Sequence, residues 1–198
     1  MAAGRLIAFE GLDQSGKQTQ ASWLAGALER AGLAVYSVSF PDYATSIGAE
    51  IAQALQGQRS YDSDVLQLLY IANRYEYAPR IRGWLAGGAM VVADRYAASS
   101  LAYGEAQGLD VAWLADVQRL LPPADLTLVL DIAPETSLAR KHAARDRFER
   151  DLPLLARVRE SYRRQAQGPG WHLIDGDRPP ELVRHDVTAA VRARLGLL

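Results

Sequence analysis

The sequence predicts an α/β protein of three layers, a five-stranded parallel sheet with helices on both faces. Two observations carry this. Short apolar runs at 6–10, 35–40, 90–94, 126–131 and 171–175 alternate with stretches of helical periodicity, the signature of repeated strand–helix units. The first run then leads into a glycine loop that ends in Gly16-Lys17 just before a helical pattern begins. Strands of a parallel sheet are covered on both faces, so near-continuous apolar runs suit them better than alternation does.

The elements follow in order. Leu6, Ile7, Ala8 and Phe9 form the first strand, and Gly11, Gly16 and Lys17 have the spacing of a phosphate-binding loop. Glycines let backbone N–H groups curl around phosphate oxygens, and the following helix points its positive end at them. Lys17 adds a point charge on a flexible stem. Ala21, Leu24, Ala25 and Leu28 recur at helical spacing, and Gly32 is the helix stop. The second strand ends at Phe40-Pro41. Tyr70 and Arg74 are four apart on a helical stretch and share a face, where a ring and a guanidinium could stack on a base and bond its edge. The third strand ends in Asp94-Arg95-Tyr96. A carboxylate beside a phosphate loop suits magnesium, and the planar fork of Arg95 suits phosphate.

Ligands of such sheets bind beyond the carboxyl ends of the strands. Glu10, Asp13, Asp94, Asp131 and Asp175 stand at those ends, so the site is expected to be acidic enough to hold a metal-bound phosphate. The densest charge run, 140–150, contains Arg140, Lys141 and Arg145. Alone it reads as a solvated helix end. Beside a phosphate loop it reads as a basic flap that closes over a nucleotide, bringing cations and excluding water.

At 198 residues, the chain is expected to be one domain, 1–198, with the flap at about 140–150. A net charge of −1 with mixed signs gives no nucleic-acid surface and no polybasic membrane anchor. No apolar stretch is long enough to span a bilayer and the first residues lack signal-peptide architecture, so a cytoplasmic location is expected. The absence of cysteine excludes disulfides, thiolate zinc sites and cysteine nucleophiles. His142, His172 and His185 lack partners at metal-ligand spacing and read as surface or packing residues.

Phe9-Glu10-Gly11-Leu12-Asp13 through Gly16-Lys17, then Phe40-Pro41, Ala72-Asn73-Arg74, Asp94-Arg95-Tyr96 with Ser99-Ser100 and Ala102-Tyr103, and Asp146-Arg147-Phe148-Glu149 together resemble the thymidylate kinase family. The likeness runs from about residue 6 to residue 175. It implies a P-loop kinase fold, a homodimer, and magnesium-dependent transfer of the γ-phosphoryl group of ATP to dTMP, giving dTDP. By the same resemblance, Gly11, Leu12, Asp13, Gln14, Ser15, Gly16, Lys17, Gln18 and Thr19 would hold the donor phosphates, with Arg140 over the adenine. Asp13 would also bond the sugar hydroxyl of the acceptor. Tyr70 would stack on thymine, Arg74 would bond its O4 edge, and Arg95 would hold the acceptor phosphate. Phe40, Pro41, Tyr43, Ser99, Ser100, Tyr103, Phe148 and Glu149 would complete the acceptor site, with Tyr103 against C2′ of the sugar. Asp94 would serve the Mg2+ site. Lys17, Arg95, Asp13 and Arg145 would be catalytic.

The chain takes one of the family's two routes to a catalytic cation and departs from the family pattern at three places. Gln14 stands where some members carry an arginine, so the catalytic cation is expected from the flap, Arg145 first and Lys141 second. Gln18 stands where a Ser or Thr hydroxyl reaches magnesium, Tyr43 where many members have an arginine, and Gly104 where many have glutamine. The alternatives are a kinase for another deoxynucleotide or a deoxynucleoside, or a nucleotide-binding module without catalysis. The chain has no Asn-Lys-x-Asp guanine motif, and a basic flap is superfluous in a simple switch.

Overall fold

The computed structural model describes residues 4–140 and 151–198. Five strands, β1 (Arg5–Gly11), β2 (Val35–Ser39), β3 (Met90–Asp94), β4 (Leu126–Asp131) and β5 (Trp171–Asp175), pair in parallel in the order β2-β3-β1-β4-β5. The helices are α1 (Lys17–Arg30), α2 (Ser46–Leu55), α3 (Ser63–Ala86), α4 (Ala97–Ala106), α5 (Val111–Val117), α6 (Pro134–Arg140), α7 (Leu152–Gln165) and α8 (Pro180–Leu195).

The central strand shows why the sheet needs cover on both sides. Ile7 and Phe9 of β1 point to one face and pack against Leu24 and Leu28 of α1 and Val187 and Val191 of α8. Leu6 and Ala8 point to the other and meet Ile81 of α3 and Val91 of β3. A third cluster joins Val129 of β4 to Ala102 of α4 and to Leu155, Val158 and Tyr162 of α7. Each fully buried Leu, Val or Ile contributes about 1.5–3 kcal/mol, so this arrangement anchors the strand ends that carry the site.

The strand order brings the carboxyl ends of β3, β1 and β4 together, with β1 in the middle. The loop after β1 therefore lies between Asp94-Arg95 and the end of β4, at the point where the order of strands reverses, the usual place for a ligand. The second strand is one residue shorter than expected. Phe40 N still donates to Asp94 O at 3.0 Å, but Pro41 has no N–H to continue the ladder. The Phe40–Pro41 bond is cis. Among the described residues no helix is long and apolar enough to cross a membrane.

Candidate active site

The loop after β1 is shaped by backbone conformation. Gly11 has φ 134°, and a Cβ there would lie 2.4 Å from Leu130 O, so no larger residue could occupy it without displacing β4. Gln14 (φ 62°) and Gly16 (φ 93°) are also left-handed. Such turns gather successive N–H groups into an anion-binding concavity. No side chain caps the N-terminus of α1, which leaves its first amides for an anion. Leu12, placed in the loop by sequence, sends its side chain into the core with Val129 and Ala102 and contributes only its main chain.

A cleft of about 670 Å3 opens over this loop. Asp13, Gln14, Ser15, Gly16, Lys17, Gln18 and Thr19 line it, together with Asp94, Arg95 and Arg140. Gly176, Arg178, Pro180 and Val183, which the sequence reading did not single out, form the far wall. Arg140 spans the cleft's edge by donating to Gln14 O at 3.2 Å and Gly176 O at 3.1 Å. Ser137 of α6 buttresses the loop by donating to Asp13 O at 2.7 Å.

Lys17 is buried, and its ammonium donates to Leu12 O at 2.7 Å. Burial, with the Arg95 charge adding to it, pushes its pKa down to about 8, against the pull of Asp13, Asp94 and Glu10. Asp94 has one buried carboxylate oxygen, Oδ1, with no hydrogen-bond partner. A carboxylate oxygen kept from water and from donors at the rim of a phosphate loop fits a magnesium ion or one of its waters. Among the described residues no cluster of three or more His, Asp or Glu side chains could hold a metal unaided. A cation here would therefore be shared with nucleotide phosphates, as is usual for magnesium.

Next to the cleft lies a second pocket, lined by Asp13, Phe40, Pro41, Tyr43, Tyr70, Arg74, Arg95, Ser99, Ser100 and Tyr103. Ten residues singled out from scattered parts of the sequence thus line one cavity. Arg95 is the link between the two regions. It is left-handed at φ 65°, an uncommon conformation for a residue other than glycine and one met mainly where the surroundings enforce it. Its guanidinium donates to Asp13 at 2.8 Å, Ser99 Oγ at 3.2 Å and Gly11 O at 3.2 Å, and it lies 5.5 Å from the Tyr103 ring centre. Burial works against the charges of both partners, yet the pair prevails. Arg95 is held charged, and the Asp13 carboxyl stays well below its usual range.

Arg74 is buried and donates to Ser100 Oγ at 2.7 Å, while its Nε has no partner. Burial lowers its pKa, with Glu10 opposing. Asn73, beside it on α3, donates to Thr45 Oγ at 2.9 Å and accepts from Asp42 N at 2.8 Å, fixing the loop that presents Phe40, Pro41 and Tyr43. Tyr77 adds a hydrogen bond to the Asp42 carboxylate. Leu55, Gln67 and Gln107 also line the pocket. Gln67 lies three residues before Tyr70 and seven before Arg74 on α3, so helical periodicity alone could have found it. Gln107 follows Tyr103 by four residues and accepts from Gln67 at 3.2 Å. Gly104 faces away from the pocket. A Cβ there would lie 2.4 Å from Leu114 of α5, so close helix packing accounts for the glycine.

The expectation that all the strand-end acids make one acidic site is corrected. Glu10 is fully buried and accepts from Tyr96 N, Ser99 N and Ser99 Oγ at 2.8, 3.2 and 2.6 Å, which satisfies the first amides of α4. Asp131 is clamped by Arg159 at 2.6 Å and Arg163 at 2.8 Å of α7. Asp175 accepts from Asp177 N at 3.0 Å and lies 3.8 Å from Arg178. Only Asp13 and Asp94 line the ligand clefts. Glu10 and Asp131 are held by contacts within the fold, and Asp175 is exposed. Lys141, His142, Arg145, Phe148 and Glu149 lie outside the described residues.

The family model described as "Thymidylate kinase" matches residues 9–187. A thymidylate kinase of Thermomicrobium roseum is 36% identical over 93% of this chain and 93% of its own length. One of Dictyostelium discoideum is 31% identical over 94% of this chain and 84% of its own. A solved structure of thymidylate kinase from Candida albicans superposes with a TM-score of 0.83 at 29% identity, covering 98% of this chain and 93% of that one.

Proposed function

The chain belongs to the thymidylate kinase family, and from that premise we propose how its residues transfer the γ-phosphoryl group of ATP to dTMP, giving dTDP. The observation that carries this reading is the single guanidinium, Arg95, standing in both the loop cleft and the adjoining pocket. Donor and acceptor phosphates in those two spaces would meet at one cation.

ATP takes the larger cleft. Its β- and γ-phosphates lie on the amides of the loop and of the first turn of α1, and Lys17 leaves Leu12 O to bond them. Arg140 and the wall of Arg178, Pro180 and Val183 border the adenine. Gln18 and Thr19 line the cleft at the helix start. A magnesium ion, when bound with ATP, screens the phosphate oxygens and favours in-line attack, and Asp94 is the side chain that would hold it or its water.

dTMP takes the smaller pocket, phosphate toward Arg95 and base toward α3. Tyr70 stacks on thymine. Arg74, fixed by Ser100, offers donors and no acceptor, and so selects a base edge with a carbonyl. Tyr103 and Asp13 face the sugar, where the ring disfavours a 2′-hydroxyl. The acceptor phosphate oxygen is already a nucleophile, so the protein's work is alignment and charge stabilisation. Arg145, with Lys141 second, supplies the remaining cation from the flap at 140–150. In this reading the chain is one domain acting in the cytoplasm as a homodimer. The exposed Val65 and Leu68 on α3 and Leu120 after α5 support a contact surface there.

ADP release from ATP and magnesium, measured with a panel of nucleoside monophosphates and with thymidine, tests the reading. Fast turnover with dTMP, and little with ribonucleotides or thymidine, is expected. Failure of every acceptor while ATP still binds would leave a binding module without catalysis.

A further inference from the structure

We propose that Tyr162 is a positioning residue for the reaction: its hydroxyl, through Ser99 and Glu10, holds the Arg95 guanidinium in the acceptor pocket. Tyr162 lies in the buried core on α7 at 2% exposure, outside every motif of the site. Its hydroxyl is 3.0 Å from Glu10 Oε2 and 3.0 Å from Ser99 Oγ. Ser99 Oγ in turn accepts from Arg95 Nη1 at 3.2 Å and donates to Glu10 Oε2 at 2.6 Å.

The count of protons gives the arrangement its sense. A serine hydroxyl has one proton and two lone pairs. The proton of Ser99 goes to Glu10 along the shortest contact, so both lone pairs are left for Arg95 and Tyr162. The single proton of Tyr162 lies between Ser99 Oγ and Glu10 Oε2. The other donors to Glu10, namely Tyr96 N, Ser99 N and Ser99 Oγ, all come from the segment that also carries Arg95. Tyr162 alone ties that hub to a separate element, α7.

Without the hydroxyl, Glu10 loses a donor and Ser99 Oγ loses the partner that ties it to α7. The serine that accepts from Arg95 Nη1 is then held less firmly, and the guanidinium loses a fixed acceptor beside Asp13. Its unusual backbone at φ 65° makes it a residue that needs such outside support. The ring of Tyr162 serves the core. The hydroxyl serves Arg95.

This inference rests on the reading that Arg95 holds the acceptor phosphate, and the test separates the two. Tyr162→Phe keeps the ring and removes only the oxygen. Calorimetric titrations of dTMP and of thymidine, which lacks the phosphate, are made into the wild-type protein, Tyr162→Phe and Arg95→Ala. Tyr162→Phe is expected to weaken dTMP binding by about tenfold, the worth of one buried hydrogen bond, with thymidine binding and the KM for ATP unchanged. Ser99→Ala is expected to weaken dTMP binding by a similar factor, and the double variant to weaken it by no more than the larger single effect. A merely structural role would weaken both ligands together or neither, and either result overturns the proposal. If dTMP binds the wild-type protein no better than thymidine, or if Arg95→Ala leaves that preference intact, the reading of Arg95 fails and this inference falls with it.

Discussion

The two clefts that meet at Arg95 are built on different principles. The loop over α1 recognises through the main chain. Left-handed residues at 14 and 16, an uncapped helix start and one buried lysine do the work, and all lie within ten consecutive residues. The second pocket is lined by side chains from four separated stretches, with Arg74 held by Ser100, Arg95 held by Asp13 and Ser99, and Asn73 behind it fixing the 42–45 loop. A backbone cradle needs only polyphosphate and tolerates any base. A pocket of pre-set guanidinium groups demands particular acceptors at particular places.

The largest break in this comparison comes from the one side chain on which the loop depends. Lys17→Ala is expected to lower kcat by about 10³-fold, as for a charge-stabilising group lost from a sequestered site. Steady-state ADP release measures it. Arg145→Ala comes next, at about 10²-fold in kcat, because the loop carries Gln14 and no arginine of its own. Unchanged turnover would remove Arg145 from the mechanism and pass the task to Lys141.

The smallest effect is a pH dependence that belongs to the loop alone. Lys17 in the folded protein has a pKa of about 8, against 10.5 for a lysine free in water. Its charge is nearly complete at pH 7 and is lost as pH rises through about 8, so ATP affinity should fall by up to about tenfold per pH unit above 8. dTMP affinity should stay level over that step. Stability moves the other way. Between about 8 and 10.5 the unfolded chain holds the proton and the folded one does not, so stability from this residue rises with pH. Lys17→Ala should flatten both. Titrations of each ligand from pH 7 to 9.5, with melting curves alongside, would show it.

The same contrast explains what was legible in the sequence. The central strands β1, β3 and β4 were readable because a covered parallel sheet needs unbroken apolar runs; β1 runs one residue further at each end than expected, and β2 stops one residue early because Pro41 cannot donate. The loop was readable because its residues are contiguous and its glycines are required by backbone conformation at Gly11. Tyr70 and Arg74 share one helix face, so spacing brought them together, and the same spacing contained Gln67. The Glu10–Ser99–Tyr162 hub had no such signal. Its partners are up to 152 residues apart, and a strand-end glutamate looks the same in sequence whether it binds metal or caps a buried helix. Arg159 and Arg163 likewise read as surface charges until the fold places them on Asp131.

The division of labour between loop and pocket is tested most directly by titrating ATP and dTMP separately into Lys17→Ala and Arg95→Ala. A crossover is expected, in which Lys17→Ala loses ATP affinity and keeps dTMP affinity, while Arg95→Ala loses chiefly dTMP affinity. Equal loss of both ligands in both variants, at unchanged melting temperature, would contradict it and show that the two clefts act as one undivided site.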